Sequence, residues 1–270
     1  MADYAEERGP DTEAPWRIAA AVKALTPFWQ GKTVAHVTGE TCRGYVAFRK
    51  RSPGTARREL GVLRAAINHA HRAGRLARIV SVALPESPEA RDRWLTHREA
   101  AALLREAMRE PRVRLHLPLF ILLGLYSGQR KSAILSLRWN QVDLAASRMD
   151  FNTPGARRSN KRRARQPIPR RLLAHLRRAR RRGTEMGFVV HENGNRLKDI
   201  KRGFASACVR AGLGEVTPHV LRHTCATWLM QRGVPLWEAA GYLQMTVETL
   251  QRVYGHHHPD FLKGAAEAFS

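Results

Sequence analysis

The sequence predicts a mainly helical α+β protein of two domains, with a small antiparallel sheet in the second. Three observations predict it. The 270 residues suffice for two domains at roughly 100–200 residues each. Apolar residues recur at helical three-and-four spacing in most segments, and only short stretches alternate as strands do. Charge is divided unevenly: residues 1–90 hold 14 basic and 9 acidic side chains, residues 91–270 hold 33 and 14. The seam falls between Leu84 and Arg93, where Pro85 and Pro88 interrupt the pattern, which places the domains at 1–90 and 91–270.

In the first domain, helices are expected over Trp16–Trp29, Glu40–Arg51 and Thr55–Ala73. The last is clearest, with Leu60, Leu63, Ile67 and Ala70 on one stripe and Gly74 as its stop. Arg57, Arg58, Arg64 and Arg72 lie on its other faces and are candidates for contact with an anionic polymer. The second domain opens at a capping box, Thr96 with Glu99. Helices follow at His97–Arg109, Arg114–Tyr126, Arg130–Leu137, Arg170–Arg181, Leu197–Ala211, Pro218–Arg232, Leu236–Leu243 and Val247–Gly255. Strands are expected at Arg148–Asn152, Ala164–Ile168 and Phe188–His191, the last before the turn of Glu192, Asn193, Gly194 and Asn195. Asp260–Ser270 has a helical pattern in Phe261, Leu262, Ala265, Ala266 and Phe269.

Charge narrows the function. A formal balance of +24 repels itself unless an anionic partner neutralises it, and a phosphate backbone is the simplest such partner. Between Arg157 and Arg182 stand 13 basic residues and no acid. The longest apolar stretch, Leu117 to Tyr126, is well short of the roughly 20 residues that span a bilayer, so no membrane role is expected. The first fifteen residues hold five acids and one arginine, the reverse of a secretion signal. Cys42, Cys208 and Cys225 stand far apart and read as reduced thiols, which points to the cytoplasm and the nucleoid.

Three short constellations carry chemistry. In the first, Gly128 ends an apolar helix and Arg130 opens the next, where backbone N–H groups favour an anion. The second is Thr217-Pro218-His219-Val220-Leu221-Arg222-His223, in which Thr217 suits an N-cap and Pro218 the first helical position. His219 and Arg222, three apart, share a helical face, and an imidazole beside a guanidinium suits a phosphorane-like transition state. His223, on the same turn, is the alternative histidine. The third is Tyr254, near the end of a short helix, a position where tyrosine is commonly core.

Taken in order, Arg130, a basic hairpin with Lys161, His219 with Arg222, and Tyr254 resemble the tyrosine recombinase (phage-type integrase) family. The stretches LYSGQRKSAILSLRW, TPHVLRHTCATWLM and VYGHHHPD carry the likeness, which covers nearly the whole chain. It implies an N-terminal helical, SAM-like core-binding domain on DNA and a tyrosine-recombinase catalytic domain. It further implies that Arg130 and Arg222 clamp the scissile phosphate and that His219 assists proton transfer. Lys161 would protonate the leaving 5′ oxygen, and Tyr254 would attack phosphorus to form a 3′-phosphotyrosyl link. Such a link conserves the phosphodiester energy, so no cofactor and no metal are implied. Arg162 and Arg163, beside Lys161, join Arg57, Arg58 and Arg64 as DNA-contact candidates.

The implied function is site-specific recombination by a prophage or mobile-element integrase. Its partners would be double-stranded DNA attachment sites, three further copies in a homotetramer, and accessory DNA-bending or directionality factors. The alternatives are a weakened integrase remnant that only binds DNA and a type IB topoisomerase-like enzyme. Two positions depart from the family pattern: Met245 stands where a histidine or tryptophan is usual, and Ala133 where an acid is usual. A thioether is a weak acceptor and cannot donate to phosphate. Met245 therefore packs, or a neighbouring histidine supplies the donor. Consecutive histidines at 256–258 project in different directions and make a poor metal site. Phe204, Trp228 and Trp237 are expected in the core.

Overall fold

The computed structural model describes residues 1–12, 14–87, 93–152, 165–182 and 187–268. Lys161, Arg162 and Arg163 lie outside the described residues. The chain divides into two compact units, Met1–Arg91 and Asp92–Ser270. The architecture is mainly helical with a small antiparallel sheet, as the sequence predicts.

The first unit consists of α1 (Ala2–Arg8), α2 (Pro15–Trp29), α3 (Gly39–Arg49) and α4 (Pro53–Arg72). Leu60, Leu63 and Ile67 of α4 meet Leu25 and Trp29 of α2 and Tyr45 of α3 in one apolar cluster. Beneath it, the Tyr45 hydroxyl donates to Glu59 Oε2 at 2.6 Å, and Arg49 grips the same carboxylate through Nε and Nη2. The α1 helix is absent from the sequence reading, since seven residues with no buried member carry no apolar stripe. Its Glu7 pairs with His69 and Arg75 around the end of α4.

The second unit contains α5 (His97–Arg109), α6 (Leu117–Ser127), α7 (Lys131–Ser136), β1 (Val142–Asp143), β2 (Arg148–Asp150), β3 (Arg165–Pro167) and α8 (Arg170–Arg182). Next come β4 (His191–Glu192), β5 (Asn195–Arg196), α9 (Lys201–Arg210), α10 (Pro218–Gln231), α11 (Leu236–Leu243), α12 (Val247–Tyr254) and α13 (Lys263–Glu267). The sheet runs β1-β2-β3, all antiparallel, with Met149 opposite Gln166. The β4–β5 pair is a hairpin turned by Asn193 and Gly194, both at positive φ.

Helix α6 is buried on nearly every side and lies at the centre of the main core, packed against α5, α8 and α10. Gly124 allows α10 to come close: a side chain there would meet Leu221 Cδ1 at 2.7 Å. The middle of α10 is tied to Leu95 by Thr224, whose Oγ1 accepts the Leu95 N–H at 2.9 Å, and by Trp228, whose Nε1 donates to the Leu95 carbonyl.

Several boundaries differ from the sequence reading for local reasons. Helix α6 begins at Leu117 rather than Arg114, because Pro118 lacks an N–H and belongs in a first turn. Helix α9 begins at Lys201 rather than Leu197, because Asp199 Oδ1 accepts the N–H groups of Ile200 and Lys201 and turns the chain. The strand expected at Phe188–His191 is only a bridge from Phe188 to Arg138, with regular pairing starting at His191. Phe204 and Trp228 are core, but Trp237 is 72% exposed. The inner stripe of α11 is Leu236, Ala239, Ala240 and Leu243, which leaves Trp237 on the outer side.

Candidate functional site

The site begins at the end of α6. Gly128 closes that helix at φ +61, and a side chain there would fall 2.3 Å from Leu243 Cδ2 and 3.1 Å from Cys225 Sγ. Only glycine meets both the left-handed conformation and the close approach. The turn delivers Arg130 as the N-cap residue of α7, with its side chain exposed. The adjacent Lys131 pairs with Asp199 at 2.7 Å, which holds that carboxyl near 2. Ala133, where the family carries an acid, lies in the main apolar core.

Helix α10 brings the second group. Thr217 is its N-cap residue by backbone conformation but makes no side-chain cap bond, and Pro218 occupies the first helical position. Arg222 is 4% exposed, and its Nη1 donates to the Gly128 carbonyl at 2.7 Å. Burial and then the neighbouring Arg130 push this guanidinium down to about 10, whereas Tyr254 and Cys225 act in the other direction. None of these neighbours is a carboxylate. His219 has an edge in solvent, yet its imidazole is pushed down to about 4. Loss of surrounding water is the main cause, followed by the positive fields of His223, Arg222 and Arg130. His219 is therefore neutral at physiological pH.

Tyr254 comes from the opposite side, as the last residue of α12. Thr246 caps that helix, its Oγ1 accepting the Thr249 N–H at 3.2 Å. Tyr254 is 4% exposed and packs in a separate small cluster with Cys225, Leu243 and Leu250, against which Met245 also lies. Its hydroxyl and His223 Nδ1 share a hydrogen bond of 2.8 Å. The His223 ring meets that of His219 edge-on, 4.7 Å between centroids.

Four of the five sequence-selected catalytic candidates, Arg130, His219, Arg222 and Tyr254, are thus linked by contacts or mutual charge. His223, the alternative histidine of the sequence, touches the Tyr254 hydroxyl. One further residue was not selected. Gln166 of β3 is buried and donates to the carbonyls of Ser127 and Tyr242, fastening the sheet to the ends of α6 and α11. No sequence signal marked it.

The thiol of Cys225 is fully enclosed, and burial pushes it up to about 12, which removes it as a nucleophile beside His223. Residues 93–260 match the phage integrase family. The chain belongs to that family.

As a phage integrase family member, it resembles two curated phage integrases. That of Salmonella phage P22 is 27% identical over 203 residues, covering 67% of this chain and 48% of the relative. That of Escherichia phage 186 is 29% identical over 223 residues, covering 80% and 60%. The chain therefore spans about half to three-fifths of the length of these relatives. Among solved structures, a lambda integrase dimer bound to a COC′ core site aligns with a TM-score of 0.74 at 15% identity. It covers 94% of this chain and 77% of that chain, a likeness of fold.

Proposed function

We propose that this chain is a site-specific DNA recombinase, a prophage or mobile-element integrase that cuts and rejoins strands through a 3′-phosphotyrosyl intermediate. The observation that carries the reading is the buried Arg222, bonded to the turn before Arg130 and within the electrostatic reach of Arg130 and Tyr254, with no carboxylate among the charges acting on it. A phosphate fits that field. Non-bridging oxygens on Arg130 and Arg222 would gain charge in the transition state, where a preorganised clamp acts most strongly. Tyr254 Oη attacks phosphorus, the P–O5′ bond breaks, and Lys161 protonates the departing oxygen. The same path reversed, with a 5′ hydroxyl of a partner strand, reseals the DNA. His219 takes part as a neutral imidazole that hydrogen-bonds the phosphate.

Double-stranded attachment sites are the proposed substrate, acted on in the cytoplasm at the nucleoid. None of the described helices is long and apolar enough to cross a membrane. In the first unit, Arg58, Arg64 and Arg72 of α4 are exposed and are proposed phosphate contacts. Arg57 is half-buried and donates to the Pro85 carbonyl, so its share is smaller. Arg162 and Arg163, next to Lys161 in the sequence, are further proposed DNA contacts. A homotetramer on DNA, helped by bending or directionality factors, is the proposed assembly. The segment after Pro259 is its proposed contact, since Phe261 and Leu262 are 49% and 66% exposed. Removing residues after Pro259 is expected to spare duplex binding and weaken synapsis; tetramers of undiminished stability would oppose this part of the reading.

The central test is a nicked suicide duplex carrying the attachment-site core. Wild type is expected to leave a covalent adduct on a denaturing gel and Tyr254→Phe none. Duplex retention without any wild-type adduct would point instead to a DNA-binding remnant.

A further inference from the structure

We propose that His223 is a catalytic residue, the proton acceptor that activates Tyr254, a role resting on the reading of Tyr254 as nucleophile. The geometry is direct. Nδ1 of His223 lies 2.8 Å from the Tyr254 hydroxyl, within the reach a general base needs. The imidazole is half-buried in the second turn of α10, between the edge-on ring of His219 and the tilted ring of Tyr254.

Several described neighbours are poor acceptors. Tyr254 is 4% exposed, so bulk solvent has little access to its hydroxyl. Cys225 is enclosed and bound to its proton far above neutrality. His219 is held in a form that takes up protons poorly, and the nearby guanidiniums have none to accept. Met245, at the position where the family's extra ring is expected, packs against the apolar cluster and supplies no base.

The step balances without a co-reactant. Neutral His223, protonated on Nε2, accepts the phenolic hydrogen on Nδ1 as the Oη–P bond forms and the P–O5′ bond breaks. The leaving oxygen receives its own proton from the other side of the phosphorus. When a 5′ hydroxyl attacks the phosphotyrosyl link, the proton on Nδ1 returns to the departing Tyr254 oxygen. His223 therefore stays a cation through the covalent intermediate, until religation returns the proton.

The discriminating experiment compares two suicide duplexes, one ordinary and one with sulfur replacing the bridging 5′ oxygen at the scissile phosphate. A thiolate leaves without help from an acid, so loss of a leaving-group donor is rescued by sulfur and loss of a nucleophile-side base is not. His223→Gln, which keeps a polar side chain but cannot accept the proton, is expected to slow adduct formation on both duplexes by about 100-fold or more. Lys161→Ala should recover on the sulfur duplex, and duplex affinity of His223→Gln should stay near wild type. A wild-type rate in His223→Gln, or recovery of that variant on sulfur, would overturn the proposal. If His223→Gln fails to fold, the nitrogen resonance of His223 Nδ1 in the intact protein still decides. It should carry the signature of an acceptor and lose it in Tyr254→Phe; an unchanged resonance would count against the contact. Absence of any wild-type adduct would instead sink the recombinase reading itself.

Discussion

Arg222 donates to the carbonyl of Gly128 at 2.7 Å, so the guanidinium proposed to hold phosphate also fastens α10 to the turn before Arg130. One N–H group is spent on structure, and among the described residues the others make no hydrogen bond, which suits a ligand. Arg222 is thereby tied to the backbone two residues before Arg130. The position demands a planar fork as well as a charge.

Arg222→Lys should accordingly retain the fold and lose roughly 100- to 1000-fold in adduct formation, because one ammonium cannot serve both acceptors. Arg222→Ala should in addition lower stability by about 1–3 kcal/mol, since the buried Gly128 carbonyl loses its side-chain donor. Single-turnover cleavage and denaturant unfolding separate the two effects. Equal cleavage by Arg222→Lys and wild type would show that the fork is dispensable.

Gly128→Ala is expected to destabilise the protein by about 1–3 kcal/mol through the left-handed backbone and the crowding against Leu243 and Cys225. Because the displaced turn carries Arg130, cleavage should fall further than stability alone explains. Chemical denaturation read beside the suicide-substrate assay tests this. Wild-type stability in the alanine variant would mean that Leu243 yields freely.

His219 gives stability a pH dependence whose sign is fixed. Its folded value, about 4, lies below the ordinary 6.5. Between those values the unfolded chain takes up a proton that the folded chain refuses, so stability falls as pH drops through that window. His219→Gln should flatten this part of the melting-temperature profile. A bound duplex should do the same, because phosphate offsets the positive field. Superimposable wild-type and variant profiles between pH 4 and 6.5 would contradict the assignment.

Thr224→Val keeps the shape of a fully buried side chain and removes the acceptor for the Leu95 N–H. Stability should fall by about 1–3 kcal/mol. The effect on adduct formation should be small at temperatures where the variant is folded, since among the described residues the Thr224 hydroxyl bonds the backbone of Leu95 and Val220. A stability unchanged from wild type would mean that the Leu95 amide finds another acceptor.

Much of the site was legible because its signals are local. The apolar run ending at Gly128, the His219–Arg222 spacing and the proline at the start of α10 are set by residues a few positions apart. The main helical segments and the small sheet were legible for the same reason. What could not be read depends on distance along the chain. His223 and Tyr254 are 31 residues apart, and Gln166 reaches carbonyls 39 and 76 residues away. The exposure of Trp237 was missed because a short helix offers too few turns to reveal which side faces inward.

Tyr254 belongs to the small cluster of Cys225, Ala226, Met230, Ala239, Ala240, Leu243 and Leu250, distinct from the large core around α6. A segment with so little burial opens below the global unfolding free energy. Amide exchange in α11 and α12 should therefore outpace that in α6. Delivery of the nucleophile then rests mainly on α11 and α12, whereas Arg222 rests on α10, which contributes to both clusters. Sequence drift in α11 and α12 can retune how often the tyrosine is presented while the arginine clamp stays as it was, and a transplanted α11–α12 segment would carry its own tempo into a related enzyme.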